Sequence, residues 1–146
     1  MSILDAPGRR AAVLGPIAAV LLSAGCLVAE SDLYLPTHRP MNAMPDGLVE
    51  GVLLEAGGCL WIEDADDARM LVLWPPGTTA RQDEAGLAID VQGEVLRLGM
   101  RISAGGGQYQ AEHQAFVHDL IGEAVPEPCR ATGMYWLAGN VSTLDP

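Results

Sequence analysis

The densest group of ionisable side chains in the chain is a run of carboxylates, Glu63, Asp64, Asp66 and Asp67. Calcium is bound by several oxygen ligands, so this run is a candidate cation site. It lacks the spaced Asp/Asn-Gly pattern and the distant bidentate glutamate of an EF-hand loop. The pattern therefore favours a solvated hairpin turn.

Two histidines, His113 and His118, have acidic neighbours at Glu112 and Asp119. Histidine is a common zinc ligand, but a chelating pair on a helix must share one face. Residues five apart diverge around the helix axis, because one turn takes 3.6 residues. We therefore predict neither a metal site nor a metal cofactor.

Catalytic motifs are absent from the sequence. No serine, threonine or cysteine lies in a recognisable nucleophile motif, and the glycines at 105–107 are not followed by the Lys-Ser/Thr of a phosphate-binding loop. Two carboxylates can meet in space without leaving a sequence signature, so a carboxylate-dependent hydrolase stays open as an alternative. We expect a protein that is not an enzyme and has no catalytic residues.

The most specific motif of the chain lies near its N-terminus. Arg9 and Arg10 precede an apolar run over 11–22, which is too short to cross a bilayer as a helix, since about 20 residues are needed. The Leu22-Ser23-Ala24-Gly25-Cys26 sequence that follows resembles the lipobox of bacterial lipoproteins, in which small residues precede an obligatory cysteine. The resemblance implies a signal peptide over 1–25 and a diacylglyceryl lipid on Cys26.

A lipid on Cys26 would change the expected location from soluble to membrane-anchored. The predicted location is extracytoplasmic, and Leu27 in place of aspartate implies the outer membrane where the envelope has one. Residues 26–46 contain Pro36, Pro40 and Pro45 and show no apolar period, which is typical of a tether. The folded domain is predicted to cover 47–146.

The chain has three cysteines. If Cys26 is acylated, Cys59 and Cys129 are left in an oxidising compartment, where disulfides form and persist. We predict a disulfide between them, with two free, buried thiols as the alternative.

The charge of the chain excludes one class of partner. The net charge is −11, and removal of residues 1–25 with Asp5, Arg9 and Arg10 makes it −12. A protein with this negative charge repels the phosphate backbone of nucleic acids, and no stripe of basic residues in the sequence offsets the repulsion. We predict no binding of nucleic acid.

The elements that must position these residues are mainly short strands. Seventeen glycines and ten prolines favour many turns. Apolar runs and period-two alternation predict strands near 48–55 (bent at Gly51), 59–63, 70–74, 87–91, 96–102 and 134–142. Residues 109–121 fit either a helix capped by Gly122 or a strand. The fold class predicted is all-β or mainly β, a small OB-like barrel with one short helix.

Several motifs of this domain are similar to those of a group of small, uncharacterised bacterial lipoproteins. They are Gly57-Gly58-Cys59-Leu60-Trp61, Trp74-Pro75-Pro76-Gly77, the glycines at 105–107 and Cys129. The similarity covers about residues 47–141 and implies no particular activity.

Strand alternation also points to a candidate ligand face. It places Trp61 opposite Leu60 and Ile62, so this indole is expected to be partly exposed. In the last strand Tyr135, Leu137 and Val141 share the side that is expected to fill the barrel, and Trp136 lies on the other side and is also expected to be partly exposed. Trp74 ends an apolar run and is expected to be buried. Exposed indoles could stack on a sugar or a peptide, although both tryptophans could instead merely cover the disulfide or the helix.

The function expected from these features is a lipid-anchored, non-catalytic binding module. Its partner would be an envelope protein or a small ligand. A structural or assembly lipoprotein of the cell envelope is the alternative, and a hydrolase is a more distant one. A concave face would favour the first, and a flat apolar patch the second.

Overall fold

Five strands of the chain close into a ring of hydrogen-bonded neighbours. The structure is a computed structural model, and it describes residues 32–144. In chain order the strands are β1 (Gly47–Ala56), β2 (Cys59–Glu63), β3 (Arg69–Leu73), β4 (Thr79–Asp83), β5 (Gly86–Val91), β6 (Glu94–Arg97), β7 (Arg101–Gln110) and β8 (Met134–Thr143). The ring, called the closed sheet below, has the order β1-β2-β3-β8-β7. Its β3–β8 pair is parallel and all its other pairs are antiparallel.

The remaining strands form a small antiparallel sheet in the order β4-β5-β6. Its buried residues Ile89, Val91 and Leu96 share one core cluster with Trp74 and with side chains from all five strands of the closed sheet. The small sheet therefore packs over the apolar interior of the closed sheet. The predicted mainly-β class with one short helix is confirmed.

The short helix, α1, spans Gln114–Ile121 and follows a 3-10 turn at Ala111–His113. It ends at Gly122, whose φ of 74° is left-handed and whose N–H donates to the carbonyl of His118 at 2.9 Å. Of the two interpretations of 109–121, the helix is correct, although Tyr109 and Gln110 still belong to β7. Within residues 32–144, no helix is long and apolar enough to span a membrane.

Strand β1 changes partner along its length. Its first half pairs with β7 and its second half with β2, and Val52 belongs to both ladders. A Cβ on Gly51 would collide with the backbone oxygen of Glu63, so only glycine fits here. The glycine that the sequence singles out thus lies where β1 changes partner.

The triple glycine lies inside a strand, beyond the end of the strand that the sequence predicts near 96–102. Residues 105–107 belong to β7, and the β7–β8 register shifts between Ala104 and Gly106. Gly106 has a φ of 147°, and a Cβ there would overlap the carbonyl oxygen of Leu137. The glycines let β7 approach its neighbours closely at this bulge.

The segment before β1 is part of the domain, in contrast to the free tether predicted for 26–46. The N–H of Tyr34 donates to the carbonyl of Gly58 at 2.7 Å, and the N–H of Trp74 donates to the carbonyl of Pro36 at 2.8 Å. His38 is buried, and its Nε2 donates to the carbonyl of Ala138 at 2.8 Å. Residues 33–39 therefore line the closed sheet, and the domain begins well before the predicted boundary at Gly47.

Candidate functional site

A concave apolar groove lies beside this segment. One cavity of about 420 Å³ is lined mainly by leucines and carboxylates, and a second of about 270 Å³ shares three of its residues. We call the pair the leucine groove. Its apolar residues are Leu33, Leu35, Ala80, Leu87 and Leu98, and its rim consists of Asp32, Glu55, Gly58, Arg81 and Gln82.

The N-terminal segment supplies one wall because its backbone is extended and its side chains alternate. Leu33 and Leu35 pack against the core inside the closed sheet, whereas Tyr34 packs with the disulfide cluster on the other side. A Cβ on Gly58 would lie 2.9 Å from the carbonyl oxygen of Asp32. Glycine at this turn, where φ is 79°, therefore allows the segment to pass close to the β1–β2 turn.

Leu98 forms the opposite wall, and a tight turn presents it to solvent. Gly99 has a φ of 84°, and its N–H donates to the carbonyl of Leu53 at 2.7 Å. The N–H of Leu53 in turn donates to the carbonyl of Met100 at 3.0 Å. The turn is thus fixed to β1, and Leu98 keeps 42 % of its surface exposed. The predicted strand over 96–102 is therefore two strands, β6 and β7, separated by this turn.

The carboxylates of the groove come from two elements. Asp32 lies in the N-terminal segment and Glu55 near the end of β1, and both are exposed. The N–H of Gly58 donates to Oε1 of Glu55 at 2.8 Å, which fixes the orientation of that carboxylate. The rim therefore holds two negative charges above an apolar floor.

Arginines near the groove are paired with carboxylates of the small sheet. Arg81 contacts Oδ2 of Asp83 at 3.3 Å and Oδ2 of Asp90 at 3.2 Å. Arg97 donates two hydrogen bonds to Asp83, at 2.8 and 2.7 Å. The bonds from Arg97, with one from the N–H of Ala85, lower the pKa of Asp83 to about 2. This ion-pair network ties β4, β5 and β6 together below the groove.

The expectation that Trp61 and Trp136 form an exposed ligand face is wrong. Their exposed fractions are 3 % and 5 %, which leaves no surface for stacking, and Trp74 is buried as predicted. Trp61 packs with the disulfide and α1, and its Nε1 donates to the carbonyl of Ala56 at 3.1 Å. Trp136 points into the closed sheet with Ala138.

The exposure of Trp136 was wrongly predicted because β8 is apolar on both faces. Tyr135 and Leu137, predicted to fill the interior, instead lie under α1 in the cluster that contains the disulfide. Val141 does face the interior, because the bulge near Gly106 changes the alternation between Ala138 and Val141. When helix and sheet interior cover opposite faces of a strand, hydrophobicity alone does not assign the faces.

The predicted disulfide is confirmed: Cys59 is bonded to Cys129, with their Cα atoms 5.6 Å apart. It joins β2 to the 3-10 turn at Glu127–Arg130, and both sulfurs lie in the cluster under α1. Cys26 and the predicted signal peptide lie outside the described residues.

The other candidate residues do not converge. Asp64 caps the predicted turn between β2 and β3, because its Oδ1 accepts hydrogen bonds from the N–H groups of Asp66 and Ala68. His113 lies in the 3-10 turn and His118 in α1. Throughout residues 32–144, no three histidine, cysteine, aspartate or glutamate side chains are grouped as they would be to hold a metal ion.

Comparison with known proteins adds no family assignment. No family model, curated protein or solved structure matches the chain.

The leucine groove was not among the sites predicted from the sequence. A signal was present in Leu33-Tyr34-Leu35, where apolar residues lie within a stretch interpreted as a tether. A second signal was Gly99, an isolated glycine inside a period-two run, which often marks a break in a strand. These two stretches are far apart in sequence, and only the folded structure shows that they lie close together.

The pairing of Asp83 makes a prediction about pH. A carboxylate with a lowered pKa stabilises the folded state at pH values above its unfolded pKa of about 4, and this contribution is lost as the pH falls towards 2. Asp83→Asn should therefore lower the urea midpoint at pH 7, and the difference from the unmodified protein should shrink between pH 4 and pH 2. Glu84→Gln, in the adjacent turn, is the control. An unchanged midpoint at pH 7, or a difference that persists at pH 2, would contradict the assignment.

Proposed function

We propose that this protein is a lipid-anchored, non-catalytic binding module of the cell envelope, and that the leucine groove is its ligand site. The observation that carries the binding role is the concave apolar groove between the N-terminal segment and the small sheet. Its larger cavity, of about 420 Å³, is within the range of small-molecule sites, which are mostly apolar with a few placed polar groups.

The same observation favours binding over a purely structural role. An assembly lipoprotein would be expected to present a broad, flat apolar patch to its neighbours. The large apolar residues most exposed outside the groove are Leu48, Val95 and Phe116, and they lie on three different elements, β1, β6 and α1. The groove, in contrast, gathers leucines from three parts of the chain into one concave surface.

The location proposed for the domain rests on the lipobox of Leu22–Cys26. The disulfide between Cys59 and Cys129 supports an extracytoplasmic compartment, since disulfides are rare where thiols are kept reduced. The net charge of −11 supports a partner other than nucleic acid.

Lipidation is tested in cells that are fed a labelled fatty acid. The protein should incorporate the label, and Cys26→Ala should abolish incorporation and leave uncleaved precursor, because the thiol is the acceptor of the lipid. Ser23→Ala, which keeps a small residue before the cysteine, is the matched control and should be labelled normally. Label in the Cys26→Ala protein would refute the anchor.

Ligand binding is tested with octyl glucoside, an uncharged apolar probe, below its micellar concentration. Methyl NMR of the full chain should show saturable shifts at Leu33, Leu87 and Leu98, which reports binding in the groove itself. Leu98→Ser should weaken binding at least fivefold, because it removes one apolar wall. Leu48→Ser is the control, since Leu48 is 65 % exposed and lies outside the leucine groove. Shifts that do not saturate, or that are equal in both variants, would overturn the groove as the ligand site.

A further inference from the structure

The charged residues that line the larger cavity of the leucine groove are both acidic. Asp32 and Glu55 both line the larger cavity, whose other residues are Leu33, Gly58, Gln82, Leu87 and Leu98. The larger cavity thus combines two carboxylates with three leucines, and none of its lining residues within 32–144 is basic.

The nearest cation on the rim is already neutralised. Arg81 lines the smaller cavity, but its guanidinium contacts both Asp83 and Asp90. Arg97 donates two hydrogen bonds to the carboxylate of Asp83. Both arginines are therefore engaged by carboxylates of the small sheet. Among the described residues, the charges that line the groove without such a counter-ion are those of Asp32 and Glu55, and both are negative.

We propose that the leucine groove binds a small cationic amphiphile, an aliphatic chain attached to a positively charged head group. The chain would lie on Leu33, Leu87 and Leu98, and the head group would lie at the rim beside Asp32 and Glu55. This proposal rests on the proposed function, because it names the ligand class of the same groove.

Two physical arguments set this class apart from other apolar ligands. An anionic head group would be placed next to two carboxylates in a protein whose net charge is −11, and like charges at such a site repel. An uncharged head group would gain the apolar contact alone. A cationic amphiphile gains the apolar contact and also the attraction between its head group and the two carboxylates. The carboxylate of Glu55 is already oriented by the N–H of Gly58.

The experiment compares three probes with the same eight-carbon chain: octyltrimethylammonium, octyl glucoside and octyl sulfate. Each is titrated into the full chain below its micellar concentration, and binding is read at the methyl groups of Leu33, Leu87 and Leu98. The cation should bind about fivefold more tightly than the glucoside at low salt, since exposed ion pairs are individually weak, and the sulfate should bind least. In about 1 M salt this order should collapse, because the Debye length falls to about 3 Å.

Variants of the rim separate charge from shape. Asp32→Asn with Glu55→Gln should remove the preference for the cation over octyl glucoside, with both affinities measured in the same variant, and glutamine keeps an oxygen that can accept from Gly58. Glu50→Gln is the matched control, because Glu50 is exposed on β1 and does not line either cavity.

The outcomes for the two proposals are distinguishable. Binding of all three probes with no preference for the cation, or a preference that survives in the rim variant, would overturn the cationic ligand and leave the apolar groove in place. Absence of saturable binding by any of the three would overturn the ligand site itself. A cation preference that is lost in the rim variant and kept in Glu50→Gln supports the proposal.

Discussion

The docking of residues 33–39 onto the closed sheet is the interaction on which the candidate site depends. Backbone hydrogen bonds join this segment to Gly58 in the β1–β2 turn and to Trp74 after the end of β3. The extended backbone sends Leu33 and Leu35 to one side and Tyr34 to the other. Burial, followed by the negative charge of Glu123, raises the pKa of Tyr34 well above its usual range. One segment thereby closes two apolar clusters and forms a wall of the leucine groove.

The two clusters are held in different ways. Inside the closed sheet, tryptophans and aliphatic side chains pack under the small sheet, whose three strands are joined by the Asp83–Arg97 pair. Outside it, the disulfide joins β2 to the chain after α1 and lies against Trp61. A crosslink between residues 70 apart stabilises a fold by roughly 4 kcal/mol in the chain-entropy model. Leu33, Leu35 and Leu87 of the groove pack against the interior cluster, and backbone hydrogen bonds hold the N-terminal segment that supplies one wall.

Strand content, the short helix and the disulfide were predictable because each depends on local pattern or on cysteine count. The faces of β8 were not, since α1 and the sheet interior make both sides apolar and a bulge changes the alternation before Val141. The leucine groove was not predictable either. Its walls, Leu33 and Leu98, are brought together by hydrogen bonds between segments that are distant in sequence. The prolines within 36–45 are typical of a tether, so the sequence did not indicate that this segment docks on the domain.

Amide hydrogen exchange of the full chain tests most directly whether the N-terminal segment is an integral part of the domain. The N–H groups of Tyr34 and His38 donate to backbone carbonyls, as does that of Leu53 in β1. If the segment is docked, Tyr34 and His38 should exchange many times more slowly than in the unfolded chain, with protection comparable to that of Leu53. Exchange of both amides at the rates of an unstructured peptide, while Leu53 stays protected, would show a free tether and would remove a wall of the leucine groove.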